Sequence, residues 1–394
     1  MHVSPGWQAL DGWFEITLAP FCIQDWPGVA RSHRGGTTAH SEPHTKAGLT
    51  GCDLGRNEMS KLSISRRTVL TAGAAFALSA PSIISARAAV NLRLTHPADA
   101  AHPVNIEAEA MAKRIAERTK GEVNIAIFAN NALGSPTETA QQTRLGAIDM
   151  ILLNPANIEA MSKTIGVVNI PYQFDSYEHA HKTLDVTGRD WLAAQLQAAG
   201  FTWIANFEWG FRALTNSRRP VNSPADVQGL KLRVPPELAI KAAFEALGAT
   251  TQTIAFQEVY LALANKAVDG QDNPVATTYA AKFFEAQNNL ALTKHIYTSI
   301  MLAANPKVWN DKLTADQRKI VSEEATKAGA AARKTVRDNE ERYIADMQKA
   351  GVAVTRPDVA PFRDKMGPAY DQLRKVLGEE TWTTWGKFVA AARS

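Results

Sequence analysis

From residue 91 onward the chain alternates short apolar, strand-like runs with amphipathic helical ones, and that alternation limits it to an α/β architecture. Residues 91–95 (NLRLT) read as a strand, 104–119 as a helix with Ile106, Ala110 and Ile115 on one stripe, and 122–128 as an alternating strand. Ser135 then offers a helix cap with Pro136 as the first helical residue. An apolar run at 147–153, helices at 176–187 and 190–200, and a strand at 201–207 complete a first set. The second set has a helix start at 223–226, a strand at 231–234, helices at 237–247 and 256–264, and an Asp-Asn-Pro turn after 267–270. One or two strands follow at 290–303. From Thr314 to about residue 350 runs a polar, proline-free helix, which is either a surface helix or a brace across two lobes. There is no tandem repeat and no low-complexity segment.

The N-terminal part has a different character. Met59 opens a stretch with Lys61, Arg66 and Arg67, a short apolar segment from Val69 to Ala80, and an A-x-A site at Ala86-Arg87-Ala88. Charged, apolar and small residues in that order form an export signal at 59–88. The apolar part is shorter than the ~20 residues a bilayer span requires, so no permanent anchor is expected. Ser65-Arg66-Arg67-Thr68-Val69-Leu70 fits a twin-arginine signal and an ordinary secretory one alike. Residues 1–58 carry no helix or strand period and read as upstream sequence from a start assigned too early; the alternative is a genuine extension. The protein is therefore expected in the periplasm, beginning near Ala89.

Cleavage after Ala88 leaves 306 of the 394 residues. Cys22 and Cys52 both fall before that point, which excludes a disulfide scaffold, a thiolate metal site and a cysteine nucleophile from the mature chain. With 8 of 43 basic and 6 of 39 acidic residues removed, 35 stand against 33, a formal charge of +2. That balance gives no support for nucleic acid or an anionic membrane as partner. The length suits two compact lobes, each burying its own core.

The middle of the chain concentrates unusual chemistry. FRALTN at 211–216, LKLRVPP at 230–236, FQEVYLALANKAVDG at 256–270 and QDNP at 271–274 place Arg212, Arg233, Phe256 and Asn273 on short connectors between apolar segments. Two guanidiniums, an aromatic ring and a carboxamide are what a cleft holding a small carboxylate requires. A planar guanidinium donates two parallel hydrogen bonds to a carboxylate, a geometry lysine does not reproduce.

Through these motifs and the long helix after Thr314, the chain closely resembles the DctP-type binding proteins of TRAP transporters over essentially all of 89–394. The resemblance implies a two-lobe, periplasmic-binding-protein-like α/β fold with a hinge and a long helix spanning both lobes. On that basis 89–210 with about 299–340 form the first lobe, and 211–298 with about 341–394 the second. It also implies a protein that closes over one organic acid and delivers it to a permease of small and large membrane subunits. Arg233 matches the family's carboxylate-clamping arginine, Arg212 a second arginine reaching toward the ligand, and Asn273 an asparagine that hydrogen-bonds the acid. Phe256 matches a ring packed over the ligand, and His295 falls where some relatives place a contact. Asn154 replaces an acidic residue of sialic-acid-binding relatives, which argues against a sialic acid. Glu208 and Trp209 are candidates for specificity, Trp209 stacking on a sugar face or serving as a core tryptophan. His96, Gln173 and Asn157 lie on segments expected to face the cleft from the first lobe.

Nothing points to a cofactor or metal: His295 has no second ligand at metal spacing, and in His179-Ala180-His181 the two rings would diverge on a helix. No G-x-S-x-G or H-E-x-x-H is present, so an enzyme is not expected. The leading expectation is a monomeric binding protein for a hydroxylated acid such as a uronate or aldonate. The alternatives are a component presenting an organic acid to a sensor, or a binder of C4-dicarboxylates or keto acids.

Overall fold

The computed structural model describes residues 88–393. The upstream segment, both cysteines and nearly all of the expected export signal fall on residues 1–87, outside the described residues. Ten strands are present among the described residues: β1 Val90–Thr95, β2 Val123–Phe128, β3 Met150–Leu153, β4 Thr202–Asn216, β5 Lys231–Val234, β6 Thr250–Thr253, β7 Gly270–Pro274, β8 Asn289–Ala291, β9 Tyr297–Ala304 and β10 Ala353–Thr355.

Their spatial order is β2-β1-β3-β9-β4-β7-β5-β6. β1 runs parallel to β2 and β3, while β9 lies antiparallel between β3 and β4. β5 runs parallel to both β6 and β7. β4 belongs to both halves: Thr202 to Phe211 pair with β9, and Arg212 to Asn216 pair with β7. The outcome is the expected two-lobed α/β protein, its lobes sharing one strand. The register of β4 against β9 shifts between Glu208 and Gly210, a bulge at the junction of the two pairings. Gly210 takes a φ of 114° there, which a side chain would resist.

The long helix is Ala315–Lys349, opened by a capping box between Thr314 and Gln317. Its buried stripe changes partners along its length. Val321, Ala325, Ala328 and Ala332 join the core of β1, β2, β3 and the helix Pro103–Arg118, whereas Val336, Tyr343, Ile344 and Met347 pack with Val275 and Leu290. It is thus a brace across both lobes. Glu324, fully buried on it, accepts from Arg114 at 2.6 Å and Arg118 at 2.8 Å. The contact with β4 is close because Gly329 has no side chain; a Cβ there would stand 2.1 Å from the carbonyl oxygen of Asn206.

Three elements depart from expectation. The strand expected at 201–207 continues to Asn216, since its later polar residues find partners inside the sheet. Residues 176–187 form the α-helix Tyr177–Lys182 and then a π-turn, Thr183–Thr187. The Asp-Asn-Pro segment is a buried strand, β7, and Pro274 closes it where the ladder no longer needs its N–H.

Candidate functional site

β4, β5 and β7 bring their polar residues to a cleft of about 250 Å³, whose walls also include Pro97, Ser135, Asn154 and Asn157 from the side of β1 and β3. Arg233 is the third residue of β5, flanked by β6 and β7, and only 2% of it is exposed. Its Nε donates to the carbonyl of Ile254 at 2.9 Å, which fixes the plane of the guanidinium. Among the described residues nothing accepts from its two terminal nitrogens. Burial pulls this guanidinium down to about 10, with Asp272 opposing the shift.

Arg212 is held from behind. Its Nε donates to Asp272 Oδ2 at 2.5 Å, and Nη2 donates to the carbonyl of Asp272 at 2.6 Å and to Asn273 Oδ1 at 3.4 Å. Burial would raise the Asp272 carboxyl, but Arg212 and His295 hold it well below the usual range. His295 Nε2 donates to the same Oδ2 at 3.0 Å, so its Nδ1 is left to accept from Thr293 Oγ1 at 2.8 Å. Asn273 is aimed by a 2.6 Å bond from its Nδ2 to Gln271 Oε1. Phe256 opens the turn Phe256–Glu258 and packs on Phe283, with ring centres 5.7 Å apart. Trp209 is backed by the ring of His102 at 4.5 Å, which leaves its other surface to the cleft.

The cleft also carries a group that the sequence does not single out. Glu237, 4% exposed, lines the cleft just before the helix Leu238–Ala246. Its Oε1 accepts from Asn157 Nδ2 at 3.0 Å, and its Oε2 accepts from Asn154 at 3.1 Å and Asn169 at 2.7 Å. Burial pushes this carboxyl up, while Arg212 and Arg233 oppose it. Asn154 also caps the 3₁₀ turn Pro155–Ile158 by accepting from Ala156 N at 3.0 Å. The sequence signal for Glu237 is an acidic residue four positions beyond Arg233; its three partners lie 68, 80 and 83 residues upstream.

The structure brings Arg233, Arg212, Asn273, Phe256, Asn154, Trp209 and Asn157 together around this cleft. Four other expected residues lie elsewhere. His295 stands behind Asp272. Glu208 is fully buried and accepts from His181 at 2.7 Å, away from the cleft. Gln173 Nε2 is spent on the carbonyls of Val167 and Val168, and its Oε1 accepts from Trp385. His96 is buried beside Pro97, neither ring nitrogen within full hydrogen-bond geometry of a partner among the described residues, and burial holds it down to about 4 against weaker opposition from Asn105 and Ala98. Among the described residues no group of three His, Cys, Asp or Glu side chains is placed to hold a metal, and no helix is long and apolar enough to cross a membrane.

Comparison with known proteins fits this geometry. The family model for bacterial extracellular solute-binding proteins of family 7 (DctP) matches residues 94–375. The chain is 35% identical over 294 residues to the 2,3-diketo-L-gulonate-binding periplasmic protein of Escherichia coli K12, covering 74% of this chain and 88% of that protein. It is 32% identical over 298 residues to a sialic acid-binding periplasmic protein of Vibrio cholerae, covering 75% and 92%. The sugar acid binding protein of Advenella mimigardefordensis, solved in complex with galactonate, superposes with a TM-score of 0.74 at 27% identity, covering 77% of this chain and 99% of that one.

Proposed function

Because the chain belongs to the family 7 bacterial extracellular solute-binding proteins, we propose that it captures a small organic acid and delivers it to a TRAP-type membrane permease without changing it chemically. The ligand class is a sugar acid of the aldonate or uronate type. The observation that carries this is Arg233: a guanidinium buried in the cleft wall, oriented by Ile254, with its two terminal nitrogens free of acceptors among the described residues. An arginine desolvated in this way is completed by a carboxylate that accepts both free N–H groups in parallel. Arg212, neutralised by Asp272, adds directed hydrogen bonding, and Asn273 and Asn154 add amides suited to a hydroxylated chain. The diketogulonate- and galactonate-binding relatives support the ligand class. Asn154, an amide bound to Glu237 where the family resemblance leads one to expect an acid in sialic-acid binders, disfavours a sialic acid.

The protein acts as a monomer in this reading, with its lobes closing over the acid and excluding water, so that ligand contacts to both sides favour the closed form. The test is calorimetry of the wild type and Arg233→Lys with D-galactonate and D-glucuronate. The variant should fold and lose about 2–5 kcal/mol of binding. Unchanged affinity in a folded Arg233→Lys protein, or consumption of the acid on incubation, would reject the reading.

A further inference from the structure

We propose that Glu237 sets the selectivity of the cleft, accepting a hydrogen bond from a hydroxyl of a singly charged acid and turning away a second carboxylate. The inference rests on the carboxylate-binding reading of Arg233.

Two observations lead to it. The first is a count of lone pairs. A carboxylate offers about four acceptor positions, two on each oxygen. Asn154 and Asn169 fill those of Oε2, and Asn157 fills one on Oε1. One position is left on an oxygen whose residue forms part of the cleft wall. What meets it has to donate, and a hydroxyl does so with its single O–H.

The second is a count of charge. Arg212 and Arg233 are the cations of the site and Asp272 an anion, and Glu237, whose two oxygens accept from three amides within the field of both guanidiniums, is taken as the second anion; all four are buried. His295 is kept neutral by burial, so the site sums to zero before a ligand enters. One carboxylate on Arg233 already leaves an excess of one negative charge in a desolvated space. A second would double that excess beside a carboxylate whose own donors are uncharged amides. Three asparagines solvate Glu237 without cancelling its charge, so its field still reaches the ligand.

Titration calorimetry with matched acids tests this. D-Galactonate and galactarate differ only in whether the last carbon is a hydroxymethyl or a carboxylate, and D-gluconate and glucarate form a second such pair. The wild type should favour the aldonate over its aldarate by at least about thirtyfold, and hexanoate, which has no hydroxyls, should not compete with galactonate. In Glu237→Gln the aldonate should weaken about tenfold, and the aldonate-to-aldarate ratio should fall by at least as much. A wild-type ratio below thirtyfold overturns the inference even if the variant does not fold. So does an unchanged ratio in a Glu237→Gln protein with the wild-type circular dichroism spectrum. If the wild type binds none of these monoacids, it is the carboxylate reading of Arg233 that fails, and the selectivity claim falls with it.

Discussion

Arg212 and Asp272 form a buried pair, Nε to Oδ2 at 2.5 Å, across the antiparallel seam where β4 meets β7. Asp272 holds Arg212 in place from behind, and His295 braces the same carboxylate at 3.0 Å. Asp272→Asn should therefore leave a desolvated guanidinium without its counter-ion and lower stability by about 3–5 kcal/mol in urea unfolding. The sign with pH follows from a folded-state value held below that of the unfolded chain. The pair's contribution is present above the unfolded value near 3.9 and is lost as pH falls through the folded one. The gap between wild type and variant should accordingly stay constant from pH 5 to 8; a gap that closes within that range contradicts the pairing.

His96 and His102 behave differently in acid. Burial holds them down to about 4 and about 3, so both are neutral in the folded protein, whereas the unfolded chain takes up protons below about 6.5. Stability should decline as pH falls from 6.5 toward 4, by on the order of a few kcal/mol. His102 Nδ1 accepts from Val104 N at 3.1 Å, the cap of the helix Pro103–Arg118, and a proton on that nitrogen removes the acceptor. His102→Asn keeps a capping acceptor that does not titrate, and should flatten part of the acid limb of a melting-temperature profile. An unaltered limb would place the acid sensitivity elsewhere.

Glu159 carries the opposite sign. Burial, reinforced by the nearby Glu237 charge, pushes its carboxyl up to about 8. The folded state then holds a proton between about 4.5 and 8 that the unfolded chain releases, so this group's effect is a loss of stability as pH rises through that window. Glu159→Gln, neutral at every pH, should raise stability at pH 8 by about 1–3 kcal/mol and leave it almost unchanged at pH 5. Thermal melts at the two pH values decide it, since an equal effect at both would show that Glu159 is not protonated in the folded protein.

Gly329→Ala sets helix propensity against packing. Alanine gains roughly 1 kcal/mol over glycine inside a helix, but the added carbon would stand 2.1 Å from the carbonyl oxygen of Asn206. Because that atom is backbone of β4, the helix has to lift. A net loss of about 1–3 kcal/mol in chemical denaturation is the expected result, and a gain would mean that the helix and the strand are not in close contact.

Much of the fold could be read from periodicity, because strands such as 231–234 and the helix after Thr314 have apolar faces that announce themselves. Arg233, Arg212 and Asn273 stood out because they sit in long, specific motifs. What escaped notice was polar chemistry satisfied at a distance. Arg212, Thr215 and Asn216 made the end of β4 look like a connector, yet they are buried among partners on β7 and its neighbours. The Asp-Asn-Pro segment looked like a turn for the same reason. Glu237 is defined by Asn154, Asn157 and Asn169, and a linear reading has no means of pairing it with them. His295 and Glu208 are the converse case, charged or polar residues whose partners draw them away from the cleft.

The shared strand β4 carries Trp209 within its bulge and Arg212 just beyond it, where its pairing passes from β9 to β7. Were the proposed acid held there, it would rest near the axle of the jaws and not at their tips, so a slight change of torsion in a few residues of the shared strand would be magnified at the outer rims.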